Sequence, residues 1–378
     1  MRSVRVRNQL TVLLTALAVG LLGCAADSGK TAPIGEAFVG PYELEIIEEL
    51  SPDARTVATL AHGERVAITG RLRKFVHVRA ESGIEGWVDG RMLLAPEHMA
   101  RLRDRDRKAA ALPSQGEATV YDVLNLHTEP NRGAPSFHQL RNGVMVDVVA
   151  HRVAPRAPYA PPEPDEPTEY PLNAYGPPPG DASQEVSGDG WTLVRLRDGR
   201  TGWALSQMLR LAIPDEVAQY AEGQRITSYF SLGTVNDGGE TKHHWLWTTV
   251  SKQSVPYQFD SFRVFVWSTR HHRYETAYIE RNLTGHYPVS VEMPEDAAGR
   301  RWPLSRFSLI VAGEHGLERR TYAFQGYRVR LLETAPWDPP RELILPPGSS
   351  FGRDEGDAPS LIERMRRAAA DWFGGEGP

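Results

Sequence analysis

The residues of this 378-residue chain that could do chemistry fall in two places. Between Arg225 and Thr334 lie six of the twelve histidines together with Glu275 and Glu280, and position 24 holds the sole cysteine. Zinc needs three or four ligands converging on one point, supplied as His-x-His on a strand or His-x3-His on a helix. His243-His244 and His271-His272 are immediate neighbours instead, and neighbours on a strand point to opposite faces, so each pair lends a given site one ligand at most. No metal ligand and no cofactor is assigned. Glu275 and Glu280 are five apart, which sets them on opposite faces of a straight strand, whereas paired-carboxylate hydrolysis needs both beside one bond. Ion pairing with Arg273 and Arg281 is the role expected of them. A Gly-x-Ser-x-Gly elbow, a phosphate loop and a His-Glu-x-x-His helix are all missing, so no catalytic residue is named.

The cysteine has a different context. Arg2, Arg5 and Arg7 precede an apolar run from Leu10 to Leu22, and small residues stand just before Cys24; this order reads as a secretory leader over residues 1–23. An apolar run of about a dozen residues falls short of the roughly 20 that cross a bilayer as a helix. Leu21-Leu22-Gly23-Cys24 resembles the lipobox of bacterial lipoproteins. That resemblance implies cleavage before Cys24 and acylation of Cys24, hence a membrane anchor. Ala25 and Ala26, where inner-membrane lipoproteins usually carry Asp first, imply sorting to an outer membrane, facing the periplasm. With Cys24 acylated no thiol is left for cysteine-dependent catalysis, and no second cysteine exists to pair with it, so no disulfide holds the fold. Losing the three arginines of the leader takes the net charge from −5 to −8, which argues against nucleic acid as a partner.

The elements that must position any site follow a repeat. After a polar tether at residues 24–37, strand-like segments run over Tyr42–Glu48, Thr56–Leu60, Arg65–Thr69, Val76–Arg79 and Gly86–Val88, with Gly63, Gly70 and Gly83 at turns. Leu60-x2-Gly63-x2-Val66 returns as Leu140-x2-Gly143-x2-Val146 at an offset of 80. Val78-Arg79, Gly83, Gly86-Trp87 and Met92-Leu93 return as Val194-Arg195, Gly199, Gly202-Trp203 and Met208-Leu209 at an offset of 116. The two offsets differ by 36, the length of an insertion in the second copy. This pattern resembles bacterial Src-homology-3-like domains, which implies two small barrels, at 38–96 and 116–213. Members of that family bind cell-wall peptides or pack on a catalytic domain through a groove of aromatic and polar loop residues. The resemblance puts Tyr121, His127, Trp191 and Trp203 of copy two forward as ligand-binding candidates. Copy one, with Ile47 and Phe75 in place of His127 and Trp191, reads as structural, and Trp87 as packing.

Pro96 to Leu112, within a linker at 97–115, predicts a helix with Met99, Leu102, Ala109, Ala110 and Leu112 apolar and a solvated face of mixed charge from Arg101 to Lys108. The insertion at 153–190 holds ten prolines, of which Pro158, Pro161, Pro164 and Pro167 align on one edge of a polyproline II helix. A stiff solvated loop is its expected role. From Arg225 to Thr334 aromatic residues dominate and alternate, predicting seven or eight antiparallel strands in a β-sandwich. A Pro/Gly/acid linker at 335–358 precedes an amphipathic helix at 359–374, opened by the capping box of Ser360 and Glu363.

The fold class is therefore mainly β: two Src-homology-3-like barrels, an antiparallel β-sandwich and a short C-terminal helix. The function that follows is a non-enzymatic lipoprotein of the cell envelope, with peptidoglycan or an envelope protein as partner. Two alternatives stay open: an envelope enzyme of the hydrolase class with its site in 225–334, and a purely structural subunit of an envelope complex.

Overall fold

The computed structural model describes residues 31–156, 158, 188–252, 255–293 and 304–339. The leader, Cys24, most of the proline-rich insertion, most of the linker after the sandwich and the C-terminal helix lie outside the described residues. The chain is mainly β and divides into two compact units, one built on the barrels and one on the sandwich.

The first barrel is built from β1 (Gly35–Val39), β2 (Glu43–Ile47), β3 (Thr56–Ala61), β4 (Arg65–Leu72), β5 (Phe75–Ala80), β6 (Glu85–Asp89) and β7 (Leu93–Leu94). The second uses β8 (Glu117–Val120), β9 (Leu124–His127), β10 (Ser136–Leu140), β11 (Met145–Ala154), β12 (Asp189–Arg195), β13 (Thr201–Leu205) and β14 (Leu209–Leu211). Their strand orders, β3-β2-β6-β5-β4-β1-β7 and β10-β9-β13-β12-β11-β8-β14, are the same topology. The register repeats as well: Val78 opposes Gly86 as Val194 opposes Gly202, and Val39 opposes Leu93 as Val120 opposes Leu209.

Two pairs of glycines explain why the repeat survives in the sequence. Gly63 and Gly143 turn the chain at φ 80° and 82°, where a Cβ is strained. At Gly86 a Cβ would sit 2.5 Å from Ile47 O, and at Gly202 it would sit 2.7 Å from Leu126 Cβ. The Gly of each Gly-Trp pair is thus where the neighbouring strand crosses too closely for any side chain.

Two sequence expectations need adjusting. The first barrel starts at Gly35 rather than Phe38, because Ile34 N–H donates to Ile68 O and Gly35 pairs with Ile68, which ties part of the tether into the sheet. The inter-barrel helix α1 (Pro96–Ala110) forms, but its charged face is not simply solvated. Arg105 is buried, donating to Thr128 O at 2.5 Å, Thr201 O at 2.6 Å and Thr201 Oγ1 at 3.0 Å, all in the second barrel. Arg103 reaches the other way, to Gly63 O at 3.2 Å, and its guanidinium sits 5.2 Å from the Phe38 ring centre. A helix offering cations to carbonyls on both sides is a clamp, and Met99 and Leu102 seal it into the second barrel's core.

Among the described residues the second unit is a sandwich of eight strands. One meander is β15 (Arg225–Asp237), β16 (Glu240–Val250), β17 (Ser261–Ser268) and β18 (Arg273–Glu280); the other is β19 (Gly285–Glu292), β20 (Ser305–Gly313), β21 (Gly316–Gln325) and β22 (Arg328–Pro336). Leu246, Phe262, Val264 and Val266 meet Val289, Phe307, Leu309 and Tyr322 between the sheets. The alternate residues Trp245, Trp247, Phe265 and Trp267 pack on the opposite face under Ile213 and the short helix α2 (Asp215–Ala218), which is why β16 and β17 are apolar on both sides.

Candidate functional site

The four residues put forward from copy two do not form one exposed surface. Trp191 is 1% and Trp203 3% exposed, so neither offers a ring face to solvent. His127 is partly buried beside them: its ring meets Trp191 edge-on with centres 5.4 Å apart, its backbone pairs with Trp203, and its Nδ1 donates to Ala134 O at 2.9 Å. Burial, which favours the neutral ring, lowers its pKa against the opposing effect of that bond. Tyr121 is 60% exposed, its N–H donating to Met208 O at 3.0 Å and its ring next to Arg210 rather than to His127 or the tryptophans. The loop after His127 is held from behind by α1, through Arg105 at Thr128 O and an Arg101–Glu129 ion pair of 3.1 Å. Asp189 adds ion pairs to Arg132 at 2.7 Å and Arg156 at 2.9 Å.

The same face of the first barrel is open. Ile47 opposes Trp87 and Trp87 opposes His77, giving one cross-strand row over β2, β6 and β5. All three are partly exposed, whereas their counterparts Trp203 and Leu193 are buried. His77 and Trp87 pack edge to face with centres 5.0 Å apart, and Thr69 Oγ1 lies 2.6 Å from His77 Nδ1 and orients that ring. Phe75 stands beside this row, with Lys74 Nζ 5.1 Å from its ring centre. Charged pairs border the face: Arg79–Glu85 at 2.5 Å on one side and Arg91–Asp89 at 2.6 Å on the other. Hydrogen bonds from Arg91 pull the Asp89 carboxyl down to about 2. A rigid aromatic row with an imidazole and a polar border can grip a ligand by stacking and directional hydrogen bonds.

A signal for this lay in the strands. Phe75-Val76-His77-Val78-Arg79 alternates, with Val76 and Val78 inward and polar groups outward, whereas Leu193 in copy two puts an aliphatic residue where His77 stands.

In the sandwich, His243, His244, His271 and His272 make separate contacts, and so do Asp237, Glu275 and Glu280. His243 Nδ1 lies 2.8 Å from Ser231 Oγ, and His244 Nδ1 accepts the Trp267 N–H at 3.1 Å. Burial, then His243, brings the His244 pKa down to about 4. His271 pairs with Glu275 at 2.6 Å and His272 with Asp237 at 2.7 Å. Arg273 does lie 3.5 Å from Glu275, but Glu280 binds Arg320 at 3.0 Å and the Tyr322 hydroxyl at 2.9 Å rather than Arg281, because β18 faces β21 across the sandwich edge. Among the described residues no three His, Cys, Asp or Glu side chains converge as a metal site would need. Among the described residues no helix is long and apolar enough to cross a membrane.

No protein family's profile matches this chain, and no curated protein matches it. Among solved structures it is similar to an NlpC/P60 family protein from Bacillus cereus at 11% identity and a TM-score of 0.19, over 53% of this chain and 65% of that one, less than two-thirds of the neighbour's length. It is also similar to NlpC2 from Trichomonas vaginalis at 11% identity and a TM-score of 0.16, covering 67% of this chain and 99% of that one. NlpC1 from the same organism gives 12% and 0.16, over 68% and 95%. At these TM-scores none of the three bears on the fold or the activity of this chain.

Proposed function

We propose that this chain is a lipid-anchored binding protein of the cell envelope, tethered through Cys24, that engages peptidoglycan or an envelope protein through the open face of its first barrel. One observation carries the reading. The same barrel occurs twice, and while the second has its Trp191–Leu193–Trp203 face buried, the first keeps the corresponding Phe75, His77 and Trp87 partly exposed. Partly exposed aromatics on a rigid sheet lose little freedom on binding, which makes them effective contact residues.

The test is sedimentation of the chain from Ala25 with purified peptidoglycan sacculi, alongside Trp87→Ala and His77→Ala. The wild type is expected in the pellet and Trp87→Ala at least about tenfold weaker, in line with an aromatic hot spot of over 1 kcal/mol. If the wild type stays in solution, wall binding is lost and crosslinking for an envelope protein at Trp87 is the next arm. If Trp87→Ala binds undiminished, the face assignment is wrong.

A further inference from the structure

The turn between β4 and β5 in the first barrel is unlike anything in the second, where the 36-residue insertion takes its place. Its sequence is Arg71-Leu72-Arg73-Lys74-Phe75, closed by two residues with Arg73 at φ 55°. Arg71, Leu72, Arg73 and Lys74 are all exposed, Leu72 by 51%. The turn of residues 90–92 packs against it, since Gly90 N–H donates to Lys74 O at 2.8 Å, and this brings Arg91 and Met92, itself 40% exposed, to the same tip. Asp89 balances Arg91, and among the described residues no carboxylate lies within ion-pair distance of Arg71, Arg73 or Lys74. The tip therefore carries a local excess of three positive charges on a chain whose net charge is −5, interleaved with exposed Leu72 and Met92 and the partly exposed ring of Phe75.

Cations around a small apolar patch match the interface of a bilayer, where the side chains of Leu, Met and Phe enter the headgroup layer and Lys and Arg stay among anionic lipids. The chain's own geometry places such a surface within reach. Arg79 donates to Thr31 O at 2.8 Å and Ile34 N–H to Ile68 O, so the first barrel is gripped from Thr31 onward. Six residues lie between Cys24 and Thr31, seven steps along the chain and a reach of at most about 25 Å. We infer that the Arg71–Phe75 tip docks on an anionic lipid surface and so fixes the orientation of the first barrel over the membrane that holds its lipid.

The inference goes beyond ligand binding by the Trp87 face, and its test contains no wall material and needs no acyl chain. The chain from Ala25 carries every strand and helix of the structure. It is sedimented with vesicles of phosphatidylcholine alone, or with about a quarter of the lipid replaced by phosphatidylglycerol. Partition onto the anionic vesicles only, falling as salt rises, is the expected result. Arg71→Gln, Arg73→Gly and Lys74→Gln combined lower that partition about a hundredfold, and Leu72→Ser lowers it several-fold. Should the triple variant not fold by circular dichroism, Lys74→Gln alone still has to cost about fivefold. Equal partition onto neutral and anionic vesicles, no partition at all, or undiminished binding by the charge variant overturns the inference.

Discussion

The two barrels share strand order and register, yet they expose opposite amounts of the same face. In the second, Trp191 and Trp203 are interior, His127 closes over Trp191, and α1 pins the adjacent loop through Arg105. In the first, Phe75, His77 and Trp87 line the corresponding strands and remain partly in solvent, and the loop after Ile47 is closed on itself by the Glu48 N–H to Arg55 O bond of 2.9 Å and the exposed Glu48–Arg55 ion pair of 2.8 Å. A tryptophan's place in a repeated motif therefore does not decide its role; the residues beside it on the outer face do. Leu193 makes one sheet two-sided, and His77 leaves the other open.

The comparison is sharpened first by the clamp. Arg105→Ala removes a buried cation and strands Thr128 O and Thr201 O; the expected loss is about 3–5 kcal/mol, read as a fall in the denaturant midpoint of the barrel unit. A comparable loss is expected of Trp191→Ala, about 3–5 kcal/mol, whereas Trp87→Ala costs only about 1 kcal/mol. Equal losses for the two tryptophans would erase the distinction between a core face and an open one. Gly86→Ala and Gly202→Ala each force a methyl against the crossing strand, at Ile47 O and Leu126 Cβ, and each is expected to cost about 1–3 kcal/mol. There the two barrels should agree, since the close approach belongs to the fold and not to the face.

The smallest effect concerns acid. Burial holds the folded pKa of His127 below its unfolded value, so the unfolded chain binds a proton first. The stability this ring contributes is complete above the unfolded pKa, near 6.5, and declines as pH falls below it until the folded pKa is passed. His127→Gln should flatten that part of a plot of stability against pH, and an unchanged slope would remove His127 from the buried set.

Much of this architecture was legible in the sequence, for specific reasons. The offsets of 80 and 116 captured the barrels because Gly63/Gly143 and Gly86/Gly202 answer to backbone geometry that no other residue satisfies. Val264-Phe265-Val266-Trp267 announced a strand covered on both faces, and Asn236-Asp237-Gly238-Gly239 a hairpin, closed with Gly238 and Gly239 at φ 61° and 93°. The candidate site was less legible. Periodicity on α1 could not separate Arg105 from Arg103 or Arg107, because burial there comes from Thr128 and Thr201, which are distant in sequence. Family likeness drew attention to copy two, where the motif is fuller. What it could not convey is that a fuller motif in this chain means a more thoroughly buried one. Glu280 found Arg320 and Tyr322 rather than Arg281 because packing of β18 against β21 of the other sheet, not sequence proximity, set its neighbours.

The central claim is that the first barrel, not the second, meets the partner. Hydroxyl-radical footprinting of the chain from Ala25, with and without saturating sacculi, tests it residue by residue. Protection at Trp87, His77 and Phe75 with Tyr121 still freely oxidised is the predicted result. Protection at Tyr121 while Trp87 stays oxidised would contradict it and return the site to the second barrel.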